Sequence, residues 1–342
     1  MTALTATPPV FLHPLSDRHG TPAALLLDLD HPAADAGAQL PTAILRELAA
    51  GSMVCYYRAG QPDAVAAVLD QAGWSALAAD KLHRADTVPQ QELAPAVLWL
   101  EGEWFLAPPP KPVGAQVASR ALALQLVQLV AADADTHEIE AVLRQDPTLS
   151  YHLLKLVNSL SMGMGAGTGR RVTSFSQAIL ILGRSQLRRW LNLMLFSSRE
   201  ADRRSPMLLA RVSVRARTME LLAHDTGLSK NQQEMAFMVG MFSLLGVLFG
   251  MALADVLKPL TISDAVQQAL LEHKGELGQL LSVVEAAERD DHAALVQGLA
   301  ALPLAGDQFN RIMVDAYVWM QSVALGKAGQ VTQAGNAGLR HA

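Results

Sequence analysis

Imidazole and carboxylate side chains stand close together at two places in the sequence. His224 and Asp225 are adjacent, and Asp28 and Asp30 follow a short apolar run. Such groups are ligands of the divalent metals that activate water for hydrolysis. The pattern around His224-Asp225 nevertheless predicts a helix C-terminus, where a histidine interacts favourably with the helix dipole. We therefore predict an exposed pair without a metal there, and turn caps rather than metal ligands at the two aspartates.

Two further patterns could bind anions. The glycine-rich run at 163–169 lacks the preceding strand and the Lys-Ser/Thr of a phosphate-binding loop, so we predict a flexible turn. On the helix that follows, Arg184 and Arg188 share a basic face. One interpretation is that this face is solvated or paired with neighbouring acidic residues, and the other is that it docks an acidic partner. The candidate partner-binding residues are Arg170, Arg171, Arg184, Arg188, Arg189 and Trp190.

Two kinds of secondary structure must position these residues. Short apolar runs predict strands at 24–29, 53–57, 76–79 and 97–100, and helical patterns at 41–50 and 62–72 separate them. This alternation predicts a mainly parallel α/β sheet. Beyond a proline-rich connector the apolar spacing is helical almost throughout. The predicted organisation is a flexible arm (1–23), an α/β domain (24–108), a linker (109–114), an all-α domain (115–325) and a disordered tail (326–342).

Composition limits the class of protein. The chain has 342 residues, of which 51% are hydrophobic and 17% charged, which favours a globular, two-domain protein. A net charge of −5 makes nucleic acid an unlikely partner, and Cys55, as the one cysteine, excludes an internal disulfide. With no signal peptide pattern, we expect a cytoplasmic protein. Residues 235–254 carry no charge, but interrupting glycines favour a buried helix pair over membrane insertion.

The stretch from 146 to 190 carries the most specific signal. Asp146-Pro147 predicts a capped helix start, Asn158-Ser159 the end of the apolar stripe, and residues 177–183 a second stripe. These motifs resemble the signature of the HDOD family, and the likeness extends over 115–325. The resemblance implies an all-α, HD-superfamily-like helical bundle. The family-motif residues, to which we assign a structural role, are Asp146, Pro147, Asn158, Ser159, Gln177 and Gly183.

The amino-terminal half resembles a truncated, degenerate EAL domain, the cyclic-di-GMP phosphodiesterase module. The likeness rests on the α/β alternation, on the closing Phe105-x-x-Pro108, and on the position before an HDOD region. It implies a partial TIM-barrel-like fold, because roughly 85 residues cannot close an eight-stranded barrel. The Glu-Ala-Leu triplet is missing, and Glu47-Leu48-Ala49 falls in a predicted helix.

The HDOD resemblance also bears on catalysis. In related HD phosphohydrolases a metal-binding His-Asp dyad follows Gly-x-x, but here Gly240-Met241-Phe242 leads into Ser243-Leu244, and leucine cannot bind a metal. We therefore expect no enzyme, no cofactor and no metal. The expected function is a bacterial signalling adaptor linked to cyclic-di-GMP regulation, with signalling proteins as partners and with homodimerisation. The alternatives are a divergent metal-dependent phosphohydrolase using His224-Asp225, and a sensor that binds a cyclic dinucleotide without cleaving it.

Overall fold

The computed structural model describes residues 9–29, 40–90, 92–109, separate positions between 122 and 145, residues 189 and 196, and residues 202–260, 262–304 and 307–324. Within these ranges an α/β sheet is followed by helices that pack against it, which confirms the predicted α/β and helical halves. The linker at 110–114 and the tail at 326–342 lie outside the described residues and stay predictions.

Six strands form one sheet in the order β4-β3-β2-β1-β6-β5. The first strand is antiparallel to its neighbours, and the β2-β3-β4 and β5-β6 pairs are parallel. Helices α1 (Thr42–Ala49) and α2 (Asp63–Gln71) connect the parallel strands β2 to β3 and β3 to β4. The strands are β1 (Phe11–Ser16), β2 (Pro22–Asp28), β3 (Val54–Arg58), β4 (Ser75–Leu77), β5 (Leu82–Arg84) and β6 (Trp99–Glu101).

The sheet is strongly curled. Neighbouring strands lie about 4.8 Å apart, so β3 and β6, three places apart in the order, would be about 14 Å apart in a flat sheet. Instead, the ring centroids of Tyr56 and Trp99 lie 6.0 Å apart, and Arg58 forms an ion pair with Glu101. The sheet is therefore a half-barrel with an inner, concave face. Small and apolar side chains fill that face: Leu15, Ala24, Leu26 and Leu77, with Tyr56, Leu82 and Trp99 packed against them.

Two strands differ from the sequence-based expectation. The predicted flexible arm contains β1, a buried strand in the middle of the sheet. Pro14 obscures its alternation, because proline is uncommon within central strands. Pro14 is accommodated because β1 pairs with β6 only at Ser16. The missing N–H of Pro14 therefore removes no hydrogen bond between β1 and β6. The other, β5, has three residues, too few to show a period.

The described helical part is built around one long central helix. That helix, α4, is buried on most of its faces and contacts α5, α9 and α11. Ser229 forms a reciprocal capping box with Gln232 at the start of α5. The helices are α3 (Thr136–Leu143), α4 (Ser205–Asp225), α5 (Lys230–Phe242), α6 (Leu245–Phe249), α7 (Leu253–Leu257), α8 (Asp264–Glu272), α9 (Gly275–Glu288), α10 (His292–Ala300) and α11 (Gln308–Ala324).

The uncharged segment folds as two consecutive helices. Among the described residues, 230–249 are long and apolar enough to cross a membrane by length and composition alone. A break at Ser243-Leu244 separates α5 from α6. Of the most apolar 18-residue window, 56% is buried inside the protein. Gly240 lies so close to α4 that an added Cβ would stand 2.6 Å from Ala216 Cα, which explains a glycine in mid-helix.

The sheet and the helices share one hydrophobic core. Polar contacts between parts of the chain about 300 residues apart reinforce it. The Val10 N–H donates to Asn310 Oδ1 at 2.8 Å, and the Tyr317 hydroxyl donates to the Leu12 carbonyl. The helices α1, α4 and α9 thus pack on the convex face of the half-barrel, and α11 bonds to β1 through Tyr317, which leaves the concave face for a site.

Candidate functional site

A pocket of about 560 Å³ opens at one edge of the half-barrel. It lies at the carboxyl ends of the parallel strands, the edge where open α/β sheets bind their ligands. We call it the carboxyl-edge pocket. The antiparallel β1 brings its first residue to the same edge, and the turn after α9 adds one residue from the helical part. The lining residues are Phe11, Asp28, Arg58, Ala79, Leu82, Arg84, Glu101 and Asp290.

Strand alternation explains why charged groups meet there. The strands β2, β3, β5 and β6 each end in a charged residue: Asp28, Arg58, Arg84 and Glu101. Each stands two positions beyond an apolar side chain of the concave face, and side chains two apart share a face. The charges therefore form the rim above an apolar floor. Arg58 and Glu101 directly follow predicted strands, a signal in the sequence that points to this rim, whereas Arg84 ends the unpredicted β5.

The rim contains more carboxylates than guanidinium groups. Arg58 binds Glu101 with both guanidinium nitrogens, one of them at 3.2 Å from Oε2. Arg84 Nη1 lies 3.9 Å from the same carboxylate, and the Arg84 side chain is 73% exposed. With Asp28 and Asp290, the lining carries three carboxylates against two guanidinium groups. Arg84 is thus the cation best placed to reach a ligand.

A histidine and two aspartates converge beside this rim. His13 Nε2 lies 3.0 Å from Asp290 Oδ1 and 4.0 Å from Asp28 Oδ2. Despite the 3.0 Å distance, the buried Nε2 makes no hydrogen bond of acceptable geometry, so distance and direction disagree. A misaligned N–H contributes little as a donor, so this contact leaves the ring nitrogen without a hydrogen bond. Among the described residues, these three offer ligand atoms within 4.8 Å of one another.

Each of the three side chains has a separate local cause for its position. His13 stands on β1 opposite Leu26, on the concave face. Asp28 ends β2, where the sequence predicted a turn cap. Asp290 sits in the turn between α9 and α10 with φ of 57°, a left-handed conformation that aspartate tolerates better than most residues. The next residue, Asp291, caps α10 through the Ala294 N–H at 3.0 Å, which fixes the turn.

Comparison with known proteins gives the family of the helical part. Residues 117–282 match the HDOD domain. The chain contains an HDOD domain. Over 204 residues it is 31% identical to the cyclic di-GMP phosphodiesterase CdgJ of Vibrio cholerae serotype O1, a match that covers 59% of this chain and 46% of that relative. Over 151 residues it is 30% identical to the uncharacterized protein YuxH of Bacillus subtilis (strain 168), covering 44% of this chain and 36% of the relative.

The chain spans less than half the length of these two relatives. No solved structure matches it. The name of the Vibrio protein supports a link to cyclic-di-GMP signalling and overturns one expectation. Missing catalytic motifs had led us to expect no enzyme, and a homologue named as a phosphodiesterase points to catalytic activity instead. The expectation of no enzyme was wrong because absent motifs at two positions do not exclude catalysis by other residues.

The predicted HDOD residues fall mostly outside the described part of the chain. One candidate, Arg189, is described, and its side chain is 16% exposed. Its guanidinium binds Glu220 of α4 and stacks over the Phe237 ring, 4.6 Å from the centroid. Arg189 is therefore paired with a neighbouring acidic residue, as in the first of the two interpretations of the basic residues. Outside the described residues lie Asp146, Pro147, Asn158, Ser159, Gln177, Gly183, Arg170, Arg171, Arg184, Arg188 and Trp190, whose roles stay predictions.

An arginine meets Ser243, which stands where HD enzymes have their dyad. Arg215 Nη1 donates to Ser243 Oγ at 2.8 Å, and Arg215 also binds Glu288. Burial alone would raise the pKa of Glu288, but Arg215 and Arg211 outweigh it and hold that pKa below its usual range. A buried guanidinium in contact with Ser243 repels a divalent cation. The position of Ser243 is therefore unsuited to a divalent cation.

Two described histidines of the helical part, His224 and His273, do not line the carboxyl-edge pocket. His224 is 67% exposed at the end of α4, and its Nδ1 lies 2.7 Å from Asp225 Oδ1. His224 thus lies exposed at a helix end as predicted, whereas Asp225 is half-buried. His273 Nε2 lies 3.1 Å from Glu285 Oε2.

Proposed function

We propose that this chain binds cyclic di-GMP in the carboxyl-edge pocket and hydrolyses one of its phosphodiester bonds. The observation that carries the proposal is the rim itself, where two guanidinium groups and three carboxylates surround a cavity of about 560 Å³. A cavity of this volume is within the range that small ligands occupy, about 300–1,000 Å³. The name of the Vibrio relative supports the substrate. The half-barrel and the HDOD domain support the resemblance to EAL and HDOD signalling proteins.

The residues of the charged rim have two roles, phosphate binding and proton transfer. Arg84 is exposed and can donate to a phosphodiester oxygen, while Glu101 fixes Arg58 in one orientation. Asp28 lines the same pocket and can accept a proton from an attacking water. In the reaction the water oxygen bonds to phosphorus and one phosphorus–ribose oxygen bond breaks. The ribose oxygen takes up a proton from solvent, Asp28 returns its proton to solvent, and the product is a linear dinucleotide. Partnership with signalling proteins, homodimerisation and a cytoplasmic location belong to the same proposal.

Calorimetric titration and product chromatography test the proposal together. Wild-type protein is titrated with cyclic di-GMP, and a parallel reaction with divalent cation is analysed for the linear dinucleotide. Arg84→Ala should weaken binding about 10- to 150-fold, because a hydrogen bond to a charged group contributes about 1.5–3 kcal/mol. Arg46→Ala, on the exposed side of α1, is the matched control and should bind as the wild type does.

Two outcomes would contradict the proposal. If wild-type protein does not bind at high micromolar nucleotide, the pocket is not a cyclic-dinucleotide site. If it binds without forming the linear product, hydrolysis is refuted and the sensor alternative is supported.

A further inference from the structure

We propose that His13, Asp28 and Asp290 form a binding site for a divalent first-row transition-metal ion, with Zn²⁺ preferred over Mn²⁺. The site deepens the proposed function, since two of its residues line the same pocket, but ion binding itself requires no nucleotide. Three protein ligands leave at least one coordination position open. That position is what distinguishes catalytic metal sites from closed structural ones.

The ligand atoms are close to the spacing that an ion requires. With metal–ligand bonds of about 2.0–2.2 Å, ligand atoms in a tetrahedral site lie roughly 3.3 Å apart. The Nε2 of His13 is 3.0 Å from Asp290 Oδ1 and 4.0 Å from Asp28 Oδ2. The distance between His13 and Asp28 must shorten by less than an ångström, which a small side-chain rotation supplies. All three ligand atoms already lie within 4.8 Å of one another, and the Asp290 side chain, 46% exposed on a turn, can adjust to the same ion.

The direction of the imidazole is the second, independent argument. A buried ring nitrogen normally makes a hydrogen bond, and leaving one unmade costs about 1–3 kcal/mol. The Nε2 of His13 makes none of acceptable geometry, although its side chain is only 17% exposed. A metal ion bound between this nitrogen and the two carboxylates would satisfy it. The ion would also offset the excess of carboxylates at a rim that we expect to receive a dianionic nucleotide.

The ligand types select the class of ion. Imidazole suits zinc and its neighbours in the first transition row, whereas sites for Mg²⁺ are built from oxygen ligands. The usual affinity order places Zn²⁺ above Mn²⁺ for such a mixed site. We therefore expect affinity to fall in the order Zn²⁺, Mn²⁺, Mg²⁺.

Calorimetric titration of chelator-treated full-length protein with ZnCl₂, MnCl₂ or MgCl₂ tests the site without nucleotide. Wild type should bind close to one Zn²⁺. His13→Gln and Asp290→Asn should each weaken binding at least about tenfold, because even outer-sphere changes cost 10- to 100-fold. His224→Gln is the matched control, since it alters another histidine that lies 2.7 Å from an aspartate oxygen. Circular dichroism checks folding, and Asp290→Asn on its exposed turn serves if His13→Gln does not fold.

The outcomes are decisive in both directions. The inference is overturned if wild type binds no Zn²⁺ or Mn²⁺, if neither site variant weakens binding, or if His224→Gln abolishes it. Failure here with intact cyclic-di-GMP binding would reject the ion site alone. Intact Zn²⁺ binding without nucleotide binding would reject the proposed substrate alone. A Co²⁺-substituted sample gives a second readout, because its absorption intensity should fall in Asp290→Asn as the coordination changes.

Discussion

Replacing Glu288 by glutamine should destabilise the protein strongly at neutral pH. Glu288 ends α9 and binds Arg215 and Arg211 of α4, and the three side chains are 7–9% exposed. Removing one member of a buried ion pair typically costs about 3–5 kcal/mol, because the partner charge stays buried. Here Arg215 keeps Glu285 at 3.5 Å and Ser243, so we expect the lower end, about 3 kcal/mol.

The assay is equilibrium urea unfolding of wild type and Glu288→Gln, followed by circular dichroism at several pH values. The folded-state pKa of Glu288 lies below the ordinary value of 4.5. The stabilisation by its charge is therefore fully present above pH 4.5 and is lost as pH falls through the lower, folded-state pKa. The gap between wild type and variant should be largest near pH 7 and should narrow below pH 4.5.

A matched control separates burial from charge loss in general. Glu272 is 51% exposed and pairs with Lys274 at the surface, so Glu272→Gln should leave the unfolding transition where it is. Two results would refute the reasoning about Glu288. One is a loss below about 1 kcal/mol at pH 7, smaller than removing a buried charge partner allows. The other is a loss that stays the same at pH 3.5.

Two other predictions concern packing and reactivity. Gly240→Ala should lower the free energy of unfolding in urea by about 1–3 kcal/mol, since its Cβ would stand 2.6 Å from Ala216 Cα in a packed helix pair; an unchanged midpoint would show that α4 and α5 separate freely. Burial raises the pKa of the Cys55 thiol to about 12, so iodoacetamide at pH 8 should label it far more slowly in native protein than in urea. Equal labelling rates would contradict the buried placement.

Local sequence patterns predicted much of the fold. The strands β2 and β3 and the helices α1 and α2 have clear periodicity, and the structure confirms them within a few residues. The HDOD motifs likewise identified the domain that the family match places at 117–282. The strand β1 was missed because Pro14 interrupts its pattern, and only pairing with β2 over the whole strand reveals it.

The candidate site was harder to predict because it depends on contacts between distant parts of the chain. Arg58 and Glu101 meet only because the sheet curls, and no local pattern encodes that curl. Asp28 was noticed as a carboxylate at a strand end, but its neighbours His13 and Asp290 are 277 positions apart in sequence. The charged residues that end successive strands were the one local signal available.

The position of Asp290 makes the proposed site depend on both the half-barrel and the helical part. Asp290 comes two residues after Glu288, which the arginines of α4 hold in place, and one residue before the cap of α10. The turn is thus fixed on both sides by groups that also stabilise the fold. Because Asp290 lines the pocket, the rim is complete only when the helices are packed against the sheet. The half-barrel alone would lack one of the three carboxylates of the rim, so the site that we propose needs both parts of the chain.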